Sequence, residues 1–322
     1  MKNGNLLISH SLVIPVYGNE ENIPHLVLAL QKMARAYGES FEVVFVIDGS
    51  PDNSLNRILE LADGFNYKTV SHSRNFGSFV AIRTGIEHAE GKYIAVMAAD
   101  LQEPPHLIED FFKILEADEA DLVFGRRIDR NDPILKKLLS NVYWWFYKKV
   151  IEPDLPKGGV DIFACTEEIK KSLLKIEEPN SSLIAQLFWL GYRREFVSYV
   201  RQERQHGTSA WGLGKRIRYM IDSVFSYTDL PIMLVLWLGL GSLTVTTTVG
   251  IVTIVAKFAG LIAVQGYTAI VLLILFLGSL IITIQGVIGC YLWRTFENTK
   301  KRPISLVRSV EVKHNFKKMK AL

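Results

Sequence analysis

The chain has 322 residues, more than a single domain usually needs, and a formal net charge of +4. A charge this nearly balanced does not force a polyanion-binding class, and no nucleic-acid partner is expected. The two cysteines, Cys165 and Cys290, lie far apart, which excludes a disulfide framework and a zinc-ligand spacing.

The opening stretch, MKNGNLLISHSLVIPV, carries no signal-peptide pattern and runs straight into a strand at Ser11–Val16. Ile23–Gly38 follows with helical spacing and a glycine stop, and Phe41–Asp48 reads as the next strand. NSLNRILELAD is a helix, YKTVSHS a strand, GSFVAIRTGIEHAEG a helix, YIAVMA a strand, PHLIEDFFKILEAD a helix and ADLVFG a strand. This alternation predicts an α/β domain in residues 1–210, with a mostly parallel sheet and helices on both faces. In such sheets ligands gather at the carboxyl ends of the strands.

In GKRIRYMIDSVFSYTDLP, Ile217, Met220, Ile221, Val224 and Phe225 share one helical face, behind Lys215, Arg216 and Arg218. The pattern predicts an amphipathic interfacial helix at 211–229. Residues 230–255 and 269–293 are uncharged apolar runs, each beyond the roughly 20 residues that cross a bilayer. They predict a two-helix transmembrane hairpin within 230–295, followed by a basic tail at 296–322. Cations flank the hairpin (Lys215, Arg216 and Arg218 before it; Arg294, Lys300, Lys301, Arg302 and Arg308 after it), while the connecting loop holds only Lys257. Both long polar segments are thus expected in the cytoplasm. The expected molecule is a multi-pass protein of the inner (plasma) membrane, partnered by the lipid bilayer.

The strands end in PVYGNEEN, IDGSPDNS, SHSRNFGS, ADLQEPP and GRRIDR. Acidic, amide and arginine residues therefore collect along one edge of the sheet. Acids beside arginines suggest a metal-bound diphosphate. Mg2+ takes carboxylate and amide oxygens plus substrate phosphates, and arginine forks neutralise the remaining phosphate charge. Arg74, Arg126 and Arg127 are candidates for that task.

SLVIPVYGNEENI, VIDGSPDNS, SRNFGSFVAIRTGIEHAEGKYIAVMAADLQEPP and LVFGRRIDR resemble the family 2 glycosyltransferases, in particular the polyprenyl-phosphate sugar transferases. The bacterial members also share the tail pattern carried here by Gly289, Tyr291, Leu292, Arg294 and Pro303. The resemblance implies a GT-A-like fold. It also implies an inverting transfer of a sugar from a nucleoside diphosphate, UDP-linked by the bacterial likeness, to a polyprenyl phosphate. The product would serve cell-envelope glycan or lipid modification, and a homo-oligomer is implied. Pro15, Tyr17 and Glu20 would border the nucleotide, and Asp48 would hold the nucleoside. Asp100 and Gln102 would ligate Mg2+ or Mn2+. Arg127 would contact phosphate, Asp161 stands where a catalytic base is proposed, and Arg204 precedes a loop that closes over the site. Arg126, Arg130, Lys136 and Lys137 would guide the lipid phosphate.

The chain departs from the pattern at Ile47, Ala98 and Cys290, each in place of an acid, and at Ala210-Trp211, where the family has Lys-Tyr. The losses at Ile47 and Ala98 bear on nucleotide identity and affinity, while Asp100 and Gln102, the pair a metal requires, are kept. Two alternatives stand beside the transferase. A processive polysaccharide synthase requires a QxxRW signature, which the chain lacks. A non-catalytic, membrane-anchored sugar-nucleotide-binding or partner-binding relative would account for the missing acids.

Overall fold

The computed structural model describes residues 8–128, 160–178, 181–202, scattered positions between 221 and 259, and 266–314. Strand β1 (His10–Val16) and strand β2 (Phe41–Ile47) are buried almost throughout. Continuous apolar runs of this kind suit the middle of a sheet covered on both faces. The other strands are β3 (Asn66–His72), β4 (Tyr93–Val96), β5 (Leu122–Arg127), β6 (Val160–Thr166), β7 (Arg194–Tyr199) and β8 (Val307–Lys313). They form one sheet of eight strands in the order β7-β5-β6-β4-β1-β2-β3-β8. The sheet is mixed, with four parallel pairings and three antiparallel ones.

Helices α1 (Ile23–Tyr37), α2 (Ser54–Leu61) and α4 (Pro105–Glu116) share a core with Leu12, Ile14, Val43 and Phe45 on one face. Helix α3 (Ser78–His88) covers the other face. A Cβ on its Gly85 would meet Val13 Cγ1 at 2.2 Å, so glycine lets the helix lie directly on β1. Helix α5 (Glu167–Leu174) caps the α3 side, where Arg83 donates to the carbonyls of Leu173 and Leu174 at 2.9 and 3.0 Å. Helix α6 (Leu183–Trp189) starts from Ser182, whose Oγ accepts from Ala185 N at 3.2 Å, an N-cap. Helix α7 spans Tyr267–Thr299.

The chain divides into two compact units, Met1–Ile217 with Pro303–Leu322, and Arg218–Arg302. The residues after 302 thus belong with the first unit, where β8 pairs antiparallel with β3.

The expectation of two transmembrane helices is corrected. Among the described residues no helix is long and apolar enough to cross a membrane, and the multi-pass inner-membrane placement built on those spans falls with it. Half of the residues in 230–255 lie outside the described ones. Helix α7 has 33 residues. Most of the amphipathic segment 211–229, together with Arg130, Lys136, Lys137 and Arg204, lies outside the described residues.

Candidate active site

The chain passes from β1 to β2 and β3 on one side, then returns to place β4 on the other side of β1. Strand order reverses between β1 and β4, and open α/β sheets bind ligands at the carboxyl edge of that crevice. The residues after β1 and β4 therefore define the site. β5 and β7 run parallel to each other, and β6 runs antiparallel to β4 and β5. The ends of β5 and β7 and the start of β6 consequently open on the same edge.

Pro15 is the penultimate residue of β1, and Tyr17, just past its end, is 44 % exposed. The loop that follows is stapled to the β2–α2 loop. Gly18 N donates to Ser50 Oγ at 2.8 Å, Glu20 N to Asp52 Oδ2 at 2.9 Å, and Asn53 N to Glu20 Oε2 at 3.0 Å. Burial raises the Asp52 pKa, but hydrogen bonds from Ser50, Ser54 and the Glu20 and Ser54 amides outweigh it and hold the carboxyl below its ordinary value. Glu20 is thus a clamp between two loops.

Asp48 is 2 % exposed and accepts from Phe76 N and Gly77 N at 2.8 Å each, with His72 Nδ1 also at 2.8 Å. Its carboxylate therefore anchors the loop after β3 that carries Arg74, whose guanidinium lies 4.3 Å above the Phe76 ring. Gly49 permits this closeness, because a Cβ there would come within 2.5 Å of the Arg74 backbone. His72 Nε2 continues to Thr84 Oγ1 at 2.9 Å, and Thr84 Oγ1 to Ser305 Oγ at 2.9 Å. This polar chain links the loops after β2 and β3 to the C-terminal segment.

After β4 the backbone turns sharply. Leu101 adopts φ 53°, a left-handed conformation that costs a side-chain-bearing residue about 1 kcal/mol or more. The turn brings Asp100 and Gln102 together, with Gln102 N donating to Asp100 Oδ1 at 3.2 Å. Asp100 is 8 % exposed. The turn also meets the segment after β7. Arg201 Nη2 donates to Gln102 Oε1 at 2.5 Å, Gln102 Nε2 to Gln202 O at 3.2 Å, and Gln202 N to Gln102 O at 2.9 Å. Arg201 Nε lies 3.8 Å from Glu103 Oε1, a carboxylate 2 % exposed.

Arg126 and Arg127 end β5. The Arg126 guanidinium donates to Ser198 Oγ at 3.0 and 2.8 Å, and Arg127 pairs across the sheet with Tyr199. Asp161 is the second residue of β6, at the same edge. Asp100, Gln102, Arg126, Arg127 and Asp161 thus come from ends that share one edge, while Arg204 lies outside the described residues. Sequence reasoning missed Asp52, His72, Glu103 and Arg201. The acid spaced four residues beyond Asp48 in DGSPD was a readable signal for Asp52. Cys165 is out of play as a nucleophile, since burial pushes its thiol up to about 12.

Asp100 and Gln102 supply hard oxygen donors of the kind Mg2+ and Mn2+ accept. Among the described residues no group of three or more His, Cys, Asp or Glu could hold a metal. A divalent ion here would therefore draw most of its shell from substrate phosphate and water, which is how Mg2+ commonly sits.

Residues 11–197 match the model of the family described as glycosyl transferase family 2. The chain is 34% identical over 303 residues to the putative glycosyltransferase CsbB of Bacillus subtilis, covering 94% of this chain and 92% of that protein. It is 31% identical over 311 residues to the prophage bactoprenol glucosyl transferase homolog of Escherichia coli, covering 94% and 99%. A solved structure of glucosyl-3-phosphoglycerate synthase from Mycobacterium tuberculosis, in complex with Mn2+ and UDP-glucose, aligns at 17% identity over 69% of this chain and 79% of that one. Its TM-score is 0.49, a likeness in outline only.

Proposed function

The chain belongs to glycosyl transferase family 2 and is an enzyme that transfers sugar, and from that premise we propose that its acceptor is a polyprenyl phosphate and its donor a UDP-linked sugar. The acceptor is supported by the relative over almost whole length that is named for bactoprenol. The observation that carries the site assignment is the β4 turn, where Asp100 and Gln102 stand side by side at the switch point, on the same sheet edge as Arg126 and Arg127.

Asp100 and Gln102 would hold a divalent cation, which when bound stabilises the negative charge of the departing diphosphate. The residues of the chain do the rest. Arg126 and Arg127 offer guanidinium forks to phosphate oxygens, drawing two anions together and neutralising charge as the glycosidic bond breaks. The acceptor needs little activation, because a phosphate monoester with a second pKa near 6 is largely dianionic at neutral pH. Asp161 at the start of β6 would orient the acceptor or a sugar hydroxyl, and in-line attack inverts the anomeric centre. Asp48 acts through the loop it anchors, fixing Arg74 and the backbone of 76–77 beside the nucleoside. The exposed apolar side chains of α7, among them Ile274, Leu292 and Trp293, support self-association.

The test is release of UDP from a panel of UDP-sugars on adding a short polyprenyl phosphate, with magnesium present and then chelated. Turnover should require the cation and fall by about two orders of magnitude in Asp100→Asn. Undiminished turnover in that variant would remove the metal assignment. Absence of release with every donor, from folded protein, would remove the acceptor or the donor class.

A further inference from the structure

The Gln102 amide is already engaged. Its nitrogen donates to Gln202 O, which fixes the amide plane, and its oxygen receives the Arg201 guanidinium at 2.5 Å. Only the oxygen of an amide has lone pairs for a cation. A divalent ion on that oxygen would sit within a few ångströms of a positive guanidinium, beside the buried carboxylate of Glu103 and the barely exposed Asp100. In such a partly desolvated place, like charges a few ångströms apart repel strongly. The two cations therefore compete for Gln102 Oε1.

We propose that Arg201 is a placeholder cation: it holds Gln102 Oε1 while the site is empty, yields it to the divalent ion, and turns to the diphosphate that arrives with that ion. The inference rests on the assignment of Asp100 and Gln102 to the metal. It follows physically from the charge balance of the turn. With Ala98 in place of a carboxylate, the turn carries less negative charge to attract a metal unaided. The resting site balances its acids with Arg201. A diphosphate adds the anionic charge that lets metal and guanidinium coexist, each on its own oxygens. Metal and diphosphate must then bind with positive coupling, and Arg201 is the residue through which the coupling acts. The segment 201–202 follows β7 directly and is tied to the turn by the backbone bond from Gln202 N to Gln102 O, so the exchange needs only the Arg201 side chain to move.

The experiment measures Mn2+ binding to the full-length protein by electron paramagnetic resonance titration, with and without inorganic pyrophosphate. The wild type should bind Mn2+ weakly alone and at least about tenfold more tightly with pyrophosphate. Arg201→Gln keeps a hydrogen-bond donor for Gln102 but no charge. It should bind Mn2+ alone about tenfold more tightly than the wild type and lose most of the pyrophosphate enhancement. Arg201→Lys, which keeps the charge, should stay near the wild type in the first measurement and controls for folding. Equal Mn2+ affinity and equal enhancement in Arg201→Gln and wild type would overturn the placeholder while leaving the metal site intact. Mn2+ binding unaffected by Asp100→Asn and by Gln102→Ala would overturn the metal assignment and this inference with it.

Discussion

Lys68 lies on β3 with its ammonium 3.0 Å from Glu42 Oε2 and 2.7 Å from Glu90 Oε1, and its side chain is 7 % exposed. Glu42 is 3 % exposed and also accepts from Ser11 Oγ at 2.6 Å. A buried pair of this kind gives little net stability against an apolar replacement of both partners, yet losing one partner strands the other charge. Lys68→Met should therefore lower the unfolding free energy by about 3–5 kcal/mol, read from the urea midpoint, and adding Glu42→Gln should recover part of the loss. A single-variant loss under about 1 kcal/mol would mean that water reaches the carboxylate. His10 gives a pH signature. Burial holds its pKa below the usual 6.5 against the opposing pull of the Glu116 carboxylate at 2.8 Å. The unfolded chain therefore takes up the proton first as pH falls, so stability present above 6.5 is lost below it, down to the folded value. The urea midpoint should drop as the pH falls through and below about 6.5, and His10→Gln should lose part of that drop. An equal drop in the variant would assign the effect to other groups. Asp48 and Asp100 stand out in the sequence by their place at strand ends together with the family resemblance, and the structure sets them just after β2 and β4. Their partners do not stand out in this way. Arg201 meets Gln102 across 99 residues of sequence, and no local pattern announces such a contact.

At the scale of elements, alternation of apolar strands with amphipathic helices was readable because each strand of the parallel core is a short buried run. β8 was not, although VRSVEVK is rich in β-branched residues, because all seven of its residues are exposed and it is flanked by cations that read as a tail. An edge strand owes its existence to the strand it pairs with, and β3 is more than 200 residues earlier in the chain. β8 does more than extend the sheet. Ser73 N donates to Leu306 O at 2.9 Å, and Ser305 ends the hydrogen-bonded chain through Thr84 and His72 to Asp48. A chain ending at residue 304 should lose about 1 kcal/mol for each ladder hydrogen bond removed. Hydrogen exchange should quicken in β3 before it does in β1 or β2. Unchanged protection of Tyr67–His72 would show that β3 does not depend on its outer neighbour.

For the molecule as a whole, the first unit is closed by residues that follow the second, since Pro303–Leu322 returns to Met1–Ile217. Composition misled at this scale. The uncharged runs near 230–255 and 269–293 were read as spans, whereas among the described residues no helix is long and apolar enough to cross a membrane. The return of the chain makes a definite demand on truncation. A protein stopped at residue 217 keeps seven strands and loses β8, leaving the β3 edge bare and the Asp48–His72–Thr84 chain without its Ser305 end. A protein in which 218–302 is replaced by a flexible Gly/Ser linker keeps every strand of the sheet and the whole core around β1 and β2. The linked form should unfold at a higher urea concentration than the stopped form and retain UDP binding with Mn2+, because the residues assigned to both are in the first unit. If the two forms unfold at the same midpoint, residues 218–302 are needed to hold β8 in place, and the first unit is not self-sufficient.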